Sequence, residues 1–406
     1  MSVIEPYKGV RDFYPEDQRI QTHIFDAMRR AVESFGYEEY NASILESTEL
    51  YKAKTSDEIV NEQTYTFTDR GDRSVTLRPE MTPTVARMVA ARKRELGFPL
   101  RWYSIQNFFR YERPQRGRLR EFWQLNADLF GVEGVLADAE VIAVAYRVMM
   151  ELGAKENDFV IKIGSRSALN EELKKRGVPT SEHKKIAALM DRKEKMPQEE
   201  YESELAELAG ENFTIQENSH VTEVRRILST MGITNTTFNP DIVRGFDYYT
   251  GIVFEVFDTN PENKRSMFGG GRYDNLVGQY GSEEVPAVGF AMGDVIARDF
   301  LETHELLPTI SPTTKLYLAP ATEKDREEAS KTADTLRKSG LNVALGMKYE
   351  KIGDHIKAAV KLAIPHFAVY GEKEKDSGSL TVKNLATGEE KTLPLSEVPS
   401  SLKAES

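Results

Sequence analysis

The chain contains no cysteine, which excludes a disulfide framework and thiolate metal sites and suits a reducing compartment. Histidine is scarce too. His23, His183, His220, His304, His355 and His366 are scattered without metal-ligand spacing, so no protein-bound zinc is expected. No apolar run approaches the roughly 20 residues of a membrane span. The first residues, MSVIEPYKGVRDFYPEDQRI, are neither a basic-apolar signal peptide nor an Arg-rich transit segment, so a cytoplasmic protein without a membrane partner is expected. No Gly-x-x-x-x-Gly-Lys-Ser/Thr loop occurs, which disfavours a P-loop site. Basic charge is in deficit overall, at a net −11, so a nucleic-acid partner has to meet a local arginine patch.

What is present is an ordinary soluble composition, 40% apolar and 29% charged over 406 residues, enough for two or three domains. DQRIQTHIFDAMRRAVESFGY carries Ile20, Ile24, Met28, Ala31, Val32 and Phe35 at helical spacing, with Gly36 as the stop. TYTFTDRGDRSVTLRPE alternates around Arg70, Gly71 and Asp72, a hairpin signal. In TPTVARMVAARKREL, Thr82 is expected as an N-cap, with Pro83 at the first helical position. This mixed order of strands and helices predicts an α+β fold. From about 167 to 226 the chain is charged, helical in pattern and poor in glycine, as in a helical insertion. THELLPTISPTTK, with Pro308 and Pro312, is expected as a linker. It divides a domain at 1–310 from an α/β domain at 313–406 that opens with KLYLAPA.

The densest chemistry lies in RWYSIQNFFRYERPQRGRLREFWQLNADLFG, residues 101–131. In its second segment Phe122, Gln124, Asn126 and Asp128 share one face of a strand, while Trp123, Leu125, Ala127 and Leu129 share the other. Arg110, Arg113, Arg116, Arg118 and Arg120 crowd the loop and its shoulders. Guanidinium forks donate paired hydrogen bonds to phosphate oxygens and never lose charge, so a polyanion is the natural partner. The plain alternative is a solvated charged hairpin, which the inward polar groups Gln124 and Asp128 weaken. Gly269, Gly270 and Gly271 are expected to make a tight bend or a close backbone approach beside a ligand.

Together TLRPEMTPTVARM, FFRYERPQRGRLREFWQLNADLFG, VRGFDYYTGIVFE and GGGRYDNLVGQYG resemble, in order and approximate spacing, the histidyl-tRNA synthetases of the class II aminoacyl-tRNA synthetases. The resemblance spans nearly the whole chain. It implies an antiparallel sheet flanked by helices, a helical insertion, a C-terminal α/β anticodon-binding domain and a homodimer. It also implies ligase chemistry in protein biosynthesis: L-histidine is activated by ATP with Mg²⁺ to histidyl-adenylate, then transferred to the 3′ terminal adenosine of tRNA(His).

Carried onto the matching positions, the resemblance assigns Arg110 to the α-phosphate and the substrate carboxylate, and Arg244 to the developing pentavalent phosphorus. Glu80, Thr82 and Gln124 hold the ammonium; Asp128 and Tyr249 read the imidazole; Tyr248 and Tyr273 line the pocket. Phe122 stacks on adenine, Arg118 reaches the outer phosphates with Arg272 as a further nucleotide ligand, and Arg113 and Gln115 face the acceptor end of the tRNA.

Three positions depart from the common bacterial pattern. Asp128 stands for glutamate and Ser43 for the proline of the first class II motif. In GFAMGDVIARDF, Ile296 stands where an arginine is expected to stack on adenine and touch the γ-phosphate; Arg298 follows two residues on, on a different helical face. Three outcomes stay open: heavier use of Arg118 and Arg272, entry of Arg298 from a shifted helix, or lost activity. The last connects to the alternative function, a non-catalytic paralogue serving as histidine-sensing regulatory subunit of ATP phosphoribosyltransferase. That paralogue generally lacks the anticodon domain and degrades the motif that stands intact here as RGFDYYTG.

Overall fold

A computed structural model describes residues 4–52, 63–193, 196–243, 248–263, 265–281, 283–348 and 351–404. The chain divides into two compact units, Met1–Phe13 with Gln21–Leu307 and Tyr14–Ile20 with Pro308–Ser406.

The first unit is built on an eight-stranded sheet. From one edge to the other its strands are Glu38–Glu39, Leu100–Phe109, Glu121–Phe130, Ala287–Gly293, Ser266–Arg272, Ile252–Asp258, Phe159–Ser165 and Thr236–Phe238. The middle is antiparallel, as expected, whereas both edge strands pair in parallel. The helix Pro15–Glu33 buries Ile24, Met28, Ala31 and Val32 of the expected stripe together with Ala27, while Ile20 and, beyond its end, Phe35 are half-buried. Val135–Glu151 is apolar on most of its circumference and buries ten of its residues, the mark of a helix pressed into a core. A separate three-stranded sheet contains the hairpin Tyr65–Thr68 and Ser74–Leu77 around the Arg70 turn, with Leu45–Ser47 on its other side.

Four helices, Arg166–Lys175, Thr180–Asp191, Gln198–Ala209 and Ser219–Thr230, occupy the charged stretch before the strands resume. The second unit has a five-stranded sheet in the order Val343–Leu345, Leu316–Pro320, His366–Tyr370, Ser379–Asn384, Glu390–Pro394. Its core is formed by Leu316, Leu318, Ala333, Leu336, Ala368 and Leu380 with their neighbours. No helix among the described residues is long and apolar enough to cross a membrane.

Two local expectations change. In the helix Thr82–Arg92 the position before the first helical residue is Met81, which already has right-handed angles, φ −95°, ψ −30°, so the turn has begun before Thr82. Thr82 therefore lies inside the first turn and makes no cap. Gly269–Gly271 form no bend: they run extended through the middle of the sheet. They do permit close approach, because a Cβ on Gly270 would lie 2.0 Å from the Gly289 carbonyl oxygen of the next strand.

Candidate active site

A cavity of about 340 Å³ opens on the inner face of the Glu121–Phe130 strand. Side-chain alternation delivers Phe122, Gln124, Asn126 and Asp128 to it from that single strand, in the order the sequence predicts. Arg110, Glu112 and Arg118 enter from the hairpin; Glu80 and Thr82 from the start of the Thr82–Arg92 helix; Tyr248, Tyr249, Glu255 and Tyr273 from the far side. Arg244 lies outside the described residues.

At the closed end stands Asp128, 2% exposed. The Tyr273 hydroxyl donates to its Oδ1, while its Oδ2 is buried without a hydrogen-bond partner among the described residues. Burial raises the carboxyl to about 7, against the lowering effect of the Tyr273 hydrogen bond. The same burial, reinforced by the carboxylate, holds the Tyr273 phenol well above its ordinary range. Room for this acid comes from its sheet neighbour: Gly289 pairs directly with Asp128, and a Cβ there would sit 2.0 Å from Asp128 Oδ1. Gly289→Ala is accordingly expected to destabilise the fold by about 1–3 kcal/mol, the cost of overpacking that displaces the carboxylate. Urea unfolding checks it, and an unchanged midpoint would mean that the strands absorb the methyl group.

Three tyrosines form one wall, with ring centroids 4.8 Å apart for Tyr248 and Tyr249 and 5.8 Å for Tyr248 and Tyr273. The Tyr248 hydroxyl donates to Glu80 at 3.3 Å, which leaves a buried acid poised beside the cavity. At the open end Arg110 is oriented by its Nε bond to the Pro79 carbonyl, 2.9 Å, and its guanidinium lies 5.3 Å above the Phe122 ring. Phe108 stacks behind Phe122 at 5.9 Å, so the ring is a supported platform. Glu112 faces Arg118 at 3.3 Å and Arg110 at 3.9 Å. The loop tip is a tight turn in which Gln115 and Arg118 exchange backbone hydrogen bonds, and Gly117 takes the φ of +76° that such a turn needs. Arg113 is exposed, and Gln115 lines a neighbouring cavity rather than this one.

Arg272 is a correction. It is 5% exposed and does not line the cavity. Its Nε donates to Asp138 at 2.8 Å, Nη1 to Asp274 at 3.0 Å and to the Val132 carbonyl at 3.1 Å, and Nη2 to the Gly134 carbonyl at 3.1 Å. With all three nitrogens engaged, no fork remains for a phosphate. Arg298 pairs with Glu302 one turn along its own helix at 2.9 Å and lines neither cavity. Ile296 does line the cavity and packs under the loop, its Cδ1 2.7 Å from where a Cβ on Gly117 would be.

Some participants carried no assigned role in the sequence. Asn126 lies on the face that the strand alternation marks, and its buried Oδ1 has no partner among the described residues. Asp294, fully buried, accepts from Arg11, Gln21 and the Trp123 backbone N–H, thereby pinning the helix Asp294–Thr303 to the strand that carries the site. No sequence pattern signals that junction, since its partners lie up to 283 residues apart. No group of three or more His, Asp or Glu side chains among the described residues is placed to hold a metal ion.

The chain's similarities run over its whole length. The family model of histidyl-tRNA synthetase matches residues 9–294, and that of an anticodon-binding domain matches 315–405. A curated histidine–tRNA ligase of Leptospira biflexa is 39% identical over 427 aligned positions, covering 99% of this chain and 98% of the relative. The apo structure of Staphylococcus aureus histidyl-tRNA synthetase is 25% identical and superposes with a TM-score of 0.76 over 98% of this chain and all of that one. A structure described as an ATP phosphoribosyltransferase regulatory subunit/histidyl-tRNA synthetase from Bacillus halodurans, 22% identical with a TM-score of 0.70 over 91% of this chain and 99% of that one, shares the fold alone. With a family model covering most of the chain and a full-length relative of this identity, the chain belongs to the histidyl-tRNA synthetase family.

Proposed function

We propose that the protein is a working histidine–tRNA ligase, which activates L-histidine with ATP to histidyl-adenylate and transfers the histidyl group to the 3′ terminal adenosine of tRNA(His). The observation that carries this is a single cavity with a buried carboxylate oxygen, unpartnered among the described residues, at its closed end and an arginine above an aromatic platform at its mouth. An amino acid with a hydrogen-bonding side chain fits the first, and an adenine nucleotide fits the second.

In this arrangement Asp128 accepts from an imidazole N–H, with Tyr249 as the second imidazole partner and Tyr248 and Tyr273 as walls. Glu80, Thr82 and Gln124 surround the ammonium. A site that binds both ring nitrogens rejects analogues lacking them, because its own buried polar groups would be left unpaired. Arg110 bridges the substrate carboxylate and the α-phosphate, with Phe122 beneath the adenine and Arg118 toward the outer phosphates. In the in-line attack of the carboxylate on the α-phosphorus, charge grows on phosphoryl oxygens. Fixed cations stabilise it, the role given to Arg110 and Arg244. Mg²⁺ is expected to arrive with ATP and to neutralise part of the phosphate charge. Arg113 and Gln115, on the exposed loop, are offered to the acceptor end of the tRNA, and the chain acts as a cytoplasmic homodimer.

The regulatory paralogue is not favoured: among the described residues Glu80, Thr82, Gln124 and Asp128, assigned to the amino acid, and Arg110, Arg118 and Phe122, assigned to the nucleotide, line one cavity, and the segment that matches the anticodon-binding domain is present. Histidine-dependent exchange of pyrophosphate into ATP tests the proposal directly. Pure, folded protein that binds histidine without catalysing exchange would make it a sensor instead.

A further inference from the structure

We propose, on the ligase reading of the main cavity, that Arg265 holds the outer phosphates of the bound nucleotide, a task for which position 296 supplies only an aliphatic side chain. Past the hairpin loop the main cavity adjoins a second of about 400 Å³, and Gly117, Ser266, Met267 and Ile296 belong to the walls of both. A nucleotide seated on Phe122 with its α-phosphate at Arg110 has its remaining phosphates to accommodate at this end.

Charge decides what can receive them. Among described residues the main cavity sets Arg110 and Arg118 against Glu80, Glu112, Asp128 and Glu255. Both arginines also lie within 4 Å of Glu112, at 3.9 and 3.3 Å, so part of their field is already cancelled. The second cavity adds two cations, Arg116 and Arg265, and two acids, Glu262 and Asp299. Arg116 is occupied: its Nε donates to Asp299 at 2.8 Å and its Nη2 to Thr303 at 3.1 Å, and Glu262 joins Asp299 in raising its proton affinity. Arg265 is exposed and, among the described residues, has no hydrogen-bond or ion-pair partner. It directly precedes the strand Ser266–Arg272, whose first two residues form the shared wall. A free guanidinium fork at the boundary of the two chambers suits a terminal phosphate, which accepts two parallel hydrogen bonds.

Calorimetric titration of the full-length protein with ATP and with AMP, beside ATP–pyrophosphate exchange, tests the assignment. Arg265→Gln is expected to weaken ATP binding about tenfold or more, as for loss of a hydrogen bond to a charged group. AMP binding and KM for histidine should stay unchanged, and Arg265→Lys should recover part of the loss. Unchanged ATP affinity in Arg265→Gln, or equal losses for ATP and AMP, would overturn it, with a thermal melt confirming that the variant is folded. The two readings fail separately. Normal exchange with an unaltered KM for ATP in Arg265→Gln removes the arginine and leaves the ligase, whereas native protein that prefers ATP through Arg265 yet shows no exchange removes the ligase alone.

Discussion

Replacing Asp128 with asparagine is expected to raise KM for histidine roughly 10- to 150-fold in pyrophosphate exchange, the effect of losing a hydrogen bond of about 1.5–3 kcal/mol to a charged acceptor, while KM for ATP stays unchanged. The buried Oδ2 is the acceptor at issue, because Oδ1 is already held by Tyr273. Since burial places this carboxyl at about 7, its proton occupancy changes in the working range. As pH falls through 7 the acceptor is lost, so KM of the native protein should climb more steeply than that of the variant. The titration of free histidine near 6.5 is common to both and cancels in the ratio. Stability carries the opposite sign. A carboxyl whose folded pKa is raised binds more protons folded than unfolded between about 4 and 7, so folding weakens as pH rises across that window. Thermal unfolding of ligand-free protein should therefore show Asp128→Asn gaining on the native protein from pH 5 to pH 8. A change in KM of under about threefold, with no pH signature, would remove Asp128 from imidazole recognition.

The floor of this site was legible because strand geometry is so regular: with a period of two, reading QLNADLF as a strand already assigns Gln124, Asn126 and Asp128 to one face. The helix Pro15–Glu33 was legible for the same kind of reason, a 3.6-residue stripe. Properties that depend on distant partners were not. Arg110 and Arg272 each follow a recognisable motif, yet one faces the cavity and the other is neutralised by an acid 134 positions away. The glycines at 269–271 signalled close backbone approach without saying whether the neighbour is a ligand or a strand; for Gly270 it is the strand of Gly289. Thr82 was misread by one position because a proline near a helix start fits either the first or the second helical residue, and only the backbone angles of Met81 decide. What surrounds Ile296 needed the fold as well, since the glycine that it supports comes from a loop nearly 180 residues earlier, at Gly117.

Arg272→Ala separates the two accounts of that arginine. In the fold, Asp138 is fully buried and its Oδ1 depends on Arg272, while its Oδ2 meets the His220 ring at 2.8 Å. Removing the guanidinium leaves an uncompensated carboxylate and frees the carbonyls of Val132 and Gly134, so the unit is expected to lose about 3–5 kcal/mol, as when one member of a buried ion pair is deleted. For a unit of this size that corresponds to a fall of about 5–8 °C in the melting temperature. Histidine and ATP affinities measured well below the new melting point should remain near native, since Arg272 does not line the cavity. Pairing Arg272→Met with Asp138→Leu removes the buried Asp138 charge together with its partner and should recover part of the lost stability, with Asp274, His220 and the two carbonyls still short of a partner. A nucleotide ligand predicts the reverse pattern, an intact melting temperature with a raised KM for ATP. The double variant would then be no more stable than Arg272→Ala.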